Sequence, residues 1–122
     1  PPYFLEGSEA AALAAQMLVS NPPPTQVVGA DFSSRDVVLR AGLKVRPLGP
    51  IWAGTIPADV EAVMINSVGA KGEDGGRTLA LLESPDWSVQ WVVGDGDLAI
   101  SRGEMPKMPR PERGWYALLQ RQ

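Results

Sequence analysis

The stretch Trp87–Arg102, WSVQWVVGDGDLAISR, constrains the fold of this 122-residue chain more than any other. Trp87, Val89, Trp91 and Val93 alternate with Ser88, Gln90 and Val92. A period of two marks a strand with one buried face. Asp95-Gly96 follows. An Asp-Gly pair between alternating apolar runs favours a two-residue type I′ turn, whose central residues both need positive φ. With that pair at the tip, Val93 faces Leu98 and Trp91 faces Ile100. Apolar then meets apolar across the strands, so turn and pattern give one register. A β-hairpin is predicted, with the two tryptophans on one face and Trp91 buried.

Upstream, Ser8 is placed as the N-cap of a helix over EAAALAAQMLVS, which Asn21 and three prolines end. Leu13, Met17, Ala10 and Ala14 form its narrow apolar face. Residues 1–24 therefore read as a helix and proline linker, either packed on the body or held off it as an arm. Strands are predicted over Thr25–Phe32 (broken near Gly29), Asp36–Leu43 and Asp59–Val68. Lys44–Leu48 alternates polar and apolar residues, and Ile51–Pro57 is a short strand or bulged segment. Arg77–Glu83 is a strand or a pair of helical turns, with strand favoured by the bounding Gly76 and Pro85. Asp59–Val68 is expected to be central, with both faces partly buried. Gly69–Gly76 reads as a loop, and residues 103–113, with three prolines, as an extended strap. Gly114–Gln122 is a last strand or a short helix. Short strands with turn signals at this spacing predict a mainly β fold, a small β-barrel or jelly-roll-like sandwich over 25–122, plus the N-terminal helix.

Composition removes several chemistries. The chain has no Cys and no His. That excludes disulfide frameworks, zinc held by Cys or His, Cys nucleophiles and Ser-His-Asp triads. The formal net charge is −3, with Lys and Arg scattered, so nucleic acid is not an expected partner. The longest apolar run is far short of a membrane span. The chain opens on Pro1-Pro2 rather than Met and reads as a processed or trimmed piece.

Few residues remain as candidates for a site. Gly94–Asp97 offers hard oxygen ligands of the calcium-loop kind, but the full loop pattern is absent and a turn explains every residue. The glycines of Gly69–Gly76 lack P-loop spacing, and Glu73 and Asp74 would repel an anion. Asp31, Asp36, Asp59 and Glu61 are carboxylates suited to acid–base work or magnesium; ordinary solvated charges, at strand starts in the case of Asp36 and Asp59, are the first reading. Trp52, Trp87, Trp91 and Trp115 read as core or interface side chains before ligand platforms. Pro106-Lys107-Met108-Pro109 has the P-x-x-P form, which a tie-down strap also explains.

GADFSSRDVVLRAG (29–42), VEAVMINSVG (60–69), GGRTLALLE (75–83) and the C-terminal ERGWYALLQ resemble segments of the trimeric dUTP pyrophosphatases. The resemblance covers about half the chain. It implies a trimeric jelly-roll-like fold, magnesium as cofactor, and Asp31, Arg77, Arg113 and Trp115 as nucleotide-binding positions. The family's phosphate-gripping Arg-Ser-Ser has no counterpart between Leu43 and Gly54, and Trp52 stands where its water-activating Asp would fall. Neither a general base nor a phosphate clamp is then evident. The expectation is a non-catalytic, self-associating assembly domain of viral or phage structural type, with no cofactor, no metal and no catalytic residue. Leu13, Met17, Trp87 and Trp91 are its interface candidates. A divergent nucleotide hydrolase and a small-ligand β-barrel lined by Trp52 or Trp115 are the alternatives.

Overall fold

A computed structural model describes residues 8–94, 97–100 and 114–122, the side chains of 97–100 excepted. Its centre is one mixed sheet: β1 (Val27–Ala30), β2 (Lys44–Pro47), β3 (Ala62–Asn66), β4 (Trp87–Gly94), β5 (Asp97–Ile100) and β6 (Trp115–Arg121). The strand order is β2-β1-β3-β6-β4-β5. β1 runs parallel to β2 and β3, whereas β6 is antiparallel to β3 and β4, and β5 to β4.

The sheet is open, with β2 and β5 at its edges, so the expected barrel or jelly roll does not form and a mainly β description fits only in part. Helices are the reason. They cover both faces, as a sheet with parallel strands requires. On one face α1 (Glu9–Ser20) and α2 (Arg35–Arg40) pack over Val28, Ala30, Ala62 and Met64. On the other, Leu48, Ile51 and Val60 of the β2–β3 connection and Leu81 and Leu82 cover Val63, Ile65, Ala117 and Leu119. α4 (Gly75–Ala80) joins that second layer, Thr78 Oγ1 donating to the Ile51 carbonyl, whereas α3 (Ser67–Lys71) packs Val68 against the first core and Ala70 against the second. Among the described residues no helix is long and apolar enough to cross a membrane.

Two expected strands are helices. Asp36–Leu43 contains α2, and its ending explains why. Gly42, at φ 78°, is the one described glycine with positive φ; its N–H bonds the Leu39 carbonyl at 3.0 Å and Leu43 N–H bonds that of Val38 at 3.3 Å. This is a Schellman ending, which only a helix uses. Asp36 and Arg40 pair at 2.7 Å one helical turn apart. Arg77–Glu83 falls in α4 and a 3-10 turn over Leu81–Glu83. Its buried residues, Thr78, Leu81 and Leu82, are spaced three and four apart. Ile51–Pro57 holds a 3-10 turn at Ala53–Thr55, and α3 and α4 take up most of the expected Gly69–Gly76 loop. β1 runs unbroken through Gly29, where a Cβ would stand 2.9 Å from Leu48 and 3.1 Å from Val60 and Val63. The glycine lets the β2–β3 connection close onto the strand.

The expected hairpin register is present: Val93 pairs with Leu98 and Trp91 with Ile100. Asp95-Gly96, residues 1–7 and the 103–113 strap lie outside the described residues. The single buried face expected of β4 is not found. Opposite β6, Val89 pairs with Leu119 and Trp91 with Leu118, so Gln90 is an extra residue. This bulge changes the parity of everything after it. Trp87, Val89 and Val92 enter one core, and Trp91 and Val93 the other. Trp91 is 1% exposed. β3 is central and buried on both faces, as expected, and Gly114–Gln122 resolves as strand β6.

Candidate functional site: a cleft between diverging strand exits

β1 and β3 are parallel neighbours whose chains leave in opposite directions. After Ala30 the chain passes to α2 on one face; after Asn66 it passes through α3, whose Val68 and Ala70 touch the two different cores, to α4 on the other. A crevice opens where exits diverge at the carboxyl ends of a parallel sheet, and ligands bind open α/β sheets at such points. Here the crevice is a cleft of about 540 Å³, walled by residues of the β1–α2 turn (31–33 and 35), of the segment after β2 (48–50) and of the α3–α4 region (68, 69 and 72–74).

Asp31, the first residue after β1, stands at its floor. Its Oδ1 accepts from Ser33 Oγ at 3.0 Å and from Asn66 Nδ2 at 3.2 Å. Among the described residues Oδ2 has no hydrogen-bond partner. It faces Gly69, where a Cβ would come within 2.9 Å of it. Asn66 is fully buried and holds both walls. Its amide also donates to Ser33 Oγ at 2.8 Å and to Ser34 Oγ, while its Oδ1 accepts from the backbone N–H of Val68 (2.8 Å) and Gly69 (3.0 Å). Asn66 thus caps α3 and ties it to the β1–α2 turn.

The outer wall is aromatic and charged. Phe32 is 81% exposed at the rim. The Arg35 guanidinium lies 5.5 Å from the centre of its ring and donates from Nη2 to the Leu48 carbonyl at 3.3 Å. Among the described residues Asp31, Glu73 and Asp74 line the cleft with one cation, Arg35, while Arg77 lies outside the lining 3.9 Å from Asp74, and Leu48, Pro50 and Val68 give it apolar surface. The arrangement is suited to holding a ligand. Ser33 donates to a carboxylate and accepts from Asn66, so its hydroxyl is engaged on both sides, and no histidine exists to activate it.

Of the expected nucleotide-binding residues that are described, only Asp31 lines the cleft. Arg77 is exposed on α4, 3.9 Å from Asp74 and 5.2 Å from the centre of the Trp52 ring. Trp115 is buried in the Leu119 core, its backbone N–H on Ser67 Oγ. Arg113 lies outside the described residues. Of the interface candidates, Met17, Trp87 and Trp91 are buried within the chain and Leu13 packs partly against the α1 core. Among the described residues no group of three Asp, Glu, His or Cys is placed to hold a metal.

Sequence reasoning missed Asn66, Ser33, Ser34, Phe32 and Gly69. The signal for Asn66 was an amide closing the apolar run AVMIN. Strand parity alone put it on a face with Met64, and its role depends on where β1 ends. The chain matches no family model, no curated protein and no solved structure.

Proposed function

We propose that this chain is a non-catalytic module that binds a small ligand in the cleft between the β1 and β3 exits. The observation that carries the reading is the Asp31 carboxylate in the cleft lining, fixed through one oxygen by Ser33 and Asn66 and without a hydrogen-bond partner among the described residues at the other. A fixed acceptor beside apolar surface is how small-ligand sites orient an occupant. The hydrolase alternative is weaker: the carboxylates of Asp31 and Glu73, with no ion pair among the described residues, and an Arg35 already engaged on the Leu48 carbonyl disfavour a triphosphate. Incubation with dUTP and magnesium is expected to release no pyrophosphate. A fragment screen read by amide chemical shifts tests the binding reading. Shifts gathered on residues 31–35 and 68–74 support it, and hits scattered elsewhere count against it.

Self-association remains a second reading, favoured by Val19 (64% exposed) and Leu39 (60% exposed), which leave apolar surface on α1 and α2. Sedimentation across a concentration series tests it. A mass that rises with concentration and falls back in Leu39→Glu supports it, and a monomer throughout removes it.

A further inference from the structure

We infer that the cleft selects a flat organic cation, an amidinium or guanidinium, gripped by Asp31 and stacked on Phe32. This rests on the ligand-binding reading above and adds the chemical class of the ligand. Charge is the first argument. Three carboxylates line the cleft. Asp74 has Arg77 3.9 Å away, and Asp31 and Glu73 have no ion pair among the described residues. The one lining cation among those residues, Arg35, is already committed, with Nη2 on a carbonyl and Cζ 5.5 Å from the Phe32 ring centre. Arg35 Nε is enclosed and out of a ligand's reach. A cation entering here meets net negative charge, and an anion is repelled. Geometry is the second. Asp31 Oδ2 is an acceptor with fixed direction, since Ser33 and Asn66 hold Oδ1. Charge-assisted N–H···O bonds to a carboxylate are among the stronger hydrogen bonds proteins make, and a planar fork of donors suits them. The rim ring is the third. Phe32 already carries one guanidinium and remains 81% exposed, so it can take a second flat cation on its open side.

Gly69 is the specificity-determining position in this account. A side chain there would come within 2.9 Å of Asp31 Oδ2 and cover the acceptor. The residue therefore leaves the carboxylate approachable from the cleft.

Three probes of one shape and different charge test the inference: benzamidine, benzamide and benzoate, titrated at low salt into the full chain and followed by amide shifts. Benzamidine is expected to shift residues 31–35 and 68–74, benzoate to leave them unmoved, and benzamide to bind about tenfold more weakly or less. Asp31→Asn, which keeps an Oδ1 acceptor for Ser33 and Asn66, should weaken benzamidine about tenfold, as should Gly69→Ala. Phe32→Ala, at an exposed side chain, should weaken it several-fold without loss of thermal stability. Benzamide or benzoate binding in the cleft as tightly as benzamidine overturns the cation inference and leaves the cleft reading standing. So does benzamidine binding that is indifferent to Asp31→Asn and Phe32→Ala. Failure of all three probes to move the cleft residues removes both.

Discussion

Asn66 has two amide hydrogens and three oxygens within reach, on Asp31, Ser33 and Ser34. It satisfies at most two at a time, and the serine hydroxyls are donors that can turn to share the rest. Removing the side chain strands the buried Ser34 hydroxyl and uncaps α3. Asn66→Ala should cost about 2–3 kcal/mol, measured by urea unfolding. A loss below about 0.5 kcal/mol, less than one ordinary hydrogen bond, would mean the two walls hold themselves. Arg121 does comparable work at the other end of the sheet. Its guanidinium donates to the carbonyls of Val60 and Pro57 at 2.9–3.0 Å and lies 4.6 Å from the centre of the Trp87 ring. Arg121→Ala should cost about 1.5–3 kcal/mol and change Trp87 emission; an unaltered spectrum would refute the stacking. Asp31 was legible as a carboxylate at a strand end. What it faces was not, because Gly69 and Asn66 reach it only through the parallel pairing of β1 with β3.

The Gln90 bulge shows what a period of two cannot encode. Trp87, Val89, Trp91 and Val93 alternate without a break, yet the strand buries them in two cores. The pattern survives because Val92, read as facing outward, is apolar as well, so both sides of the bulge find buried surroundings. Deleting Gln90 would carry Trp91 and Val93 across the sheet. The cooperative near-ultraviolet transition should then be lost, or stability should fall by more than about 4 kcal/mol; a variant that unfolds as the parent does would deny the bulge its role. Helix α2 was misread for a related reason. Val37-Val38 fits a strand or a helix equally, and Gly42 decides for the helix only when its left-handed φ is known. The hairpin and β3 were legible because turn chemistry and an apolar run agreed there. At the α3–α4 corner a Cβ on Gly75 would lie 1.8 Å from the Ala70 carbonyl oxygen. Gly75→Ala should cost about 3 kcal/mol by thermal unfolding, and a neutral result would show that the corner opens freely.

At the scale of the molecule, two cores share one sheet. β3, β4 and β6 each contribute side chains to both, so neither core can dissolve while the other persists. Far-ultraviolet and near-ultraviolet signals should therefore lose structure at one denaturant concentration, and separate midpoints would contradict the shared sheet. The outline of a sheet with an N-terminal helix was readable; its openness was not, since closure depends on which strands sit at the edges. Strand order carries one more consequence, for synthesis. β6, near the carboxyl end of this sequence, is an interior strand, pairing with β3 on one side and β4 on the other. On a ribosome, β1, β2 and β3 emerge well before the strand that joins them to the hairpin. Until residues 115–121 clear the exit tunnel, the nascent chain holds two half-sheets with bare edges, and the six-stranded sheet waits on β6 to join them.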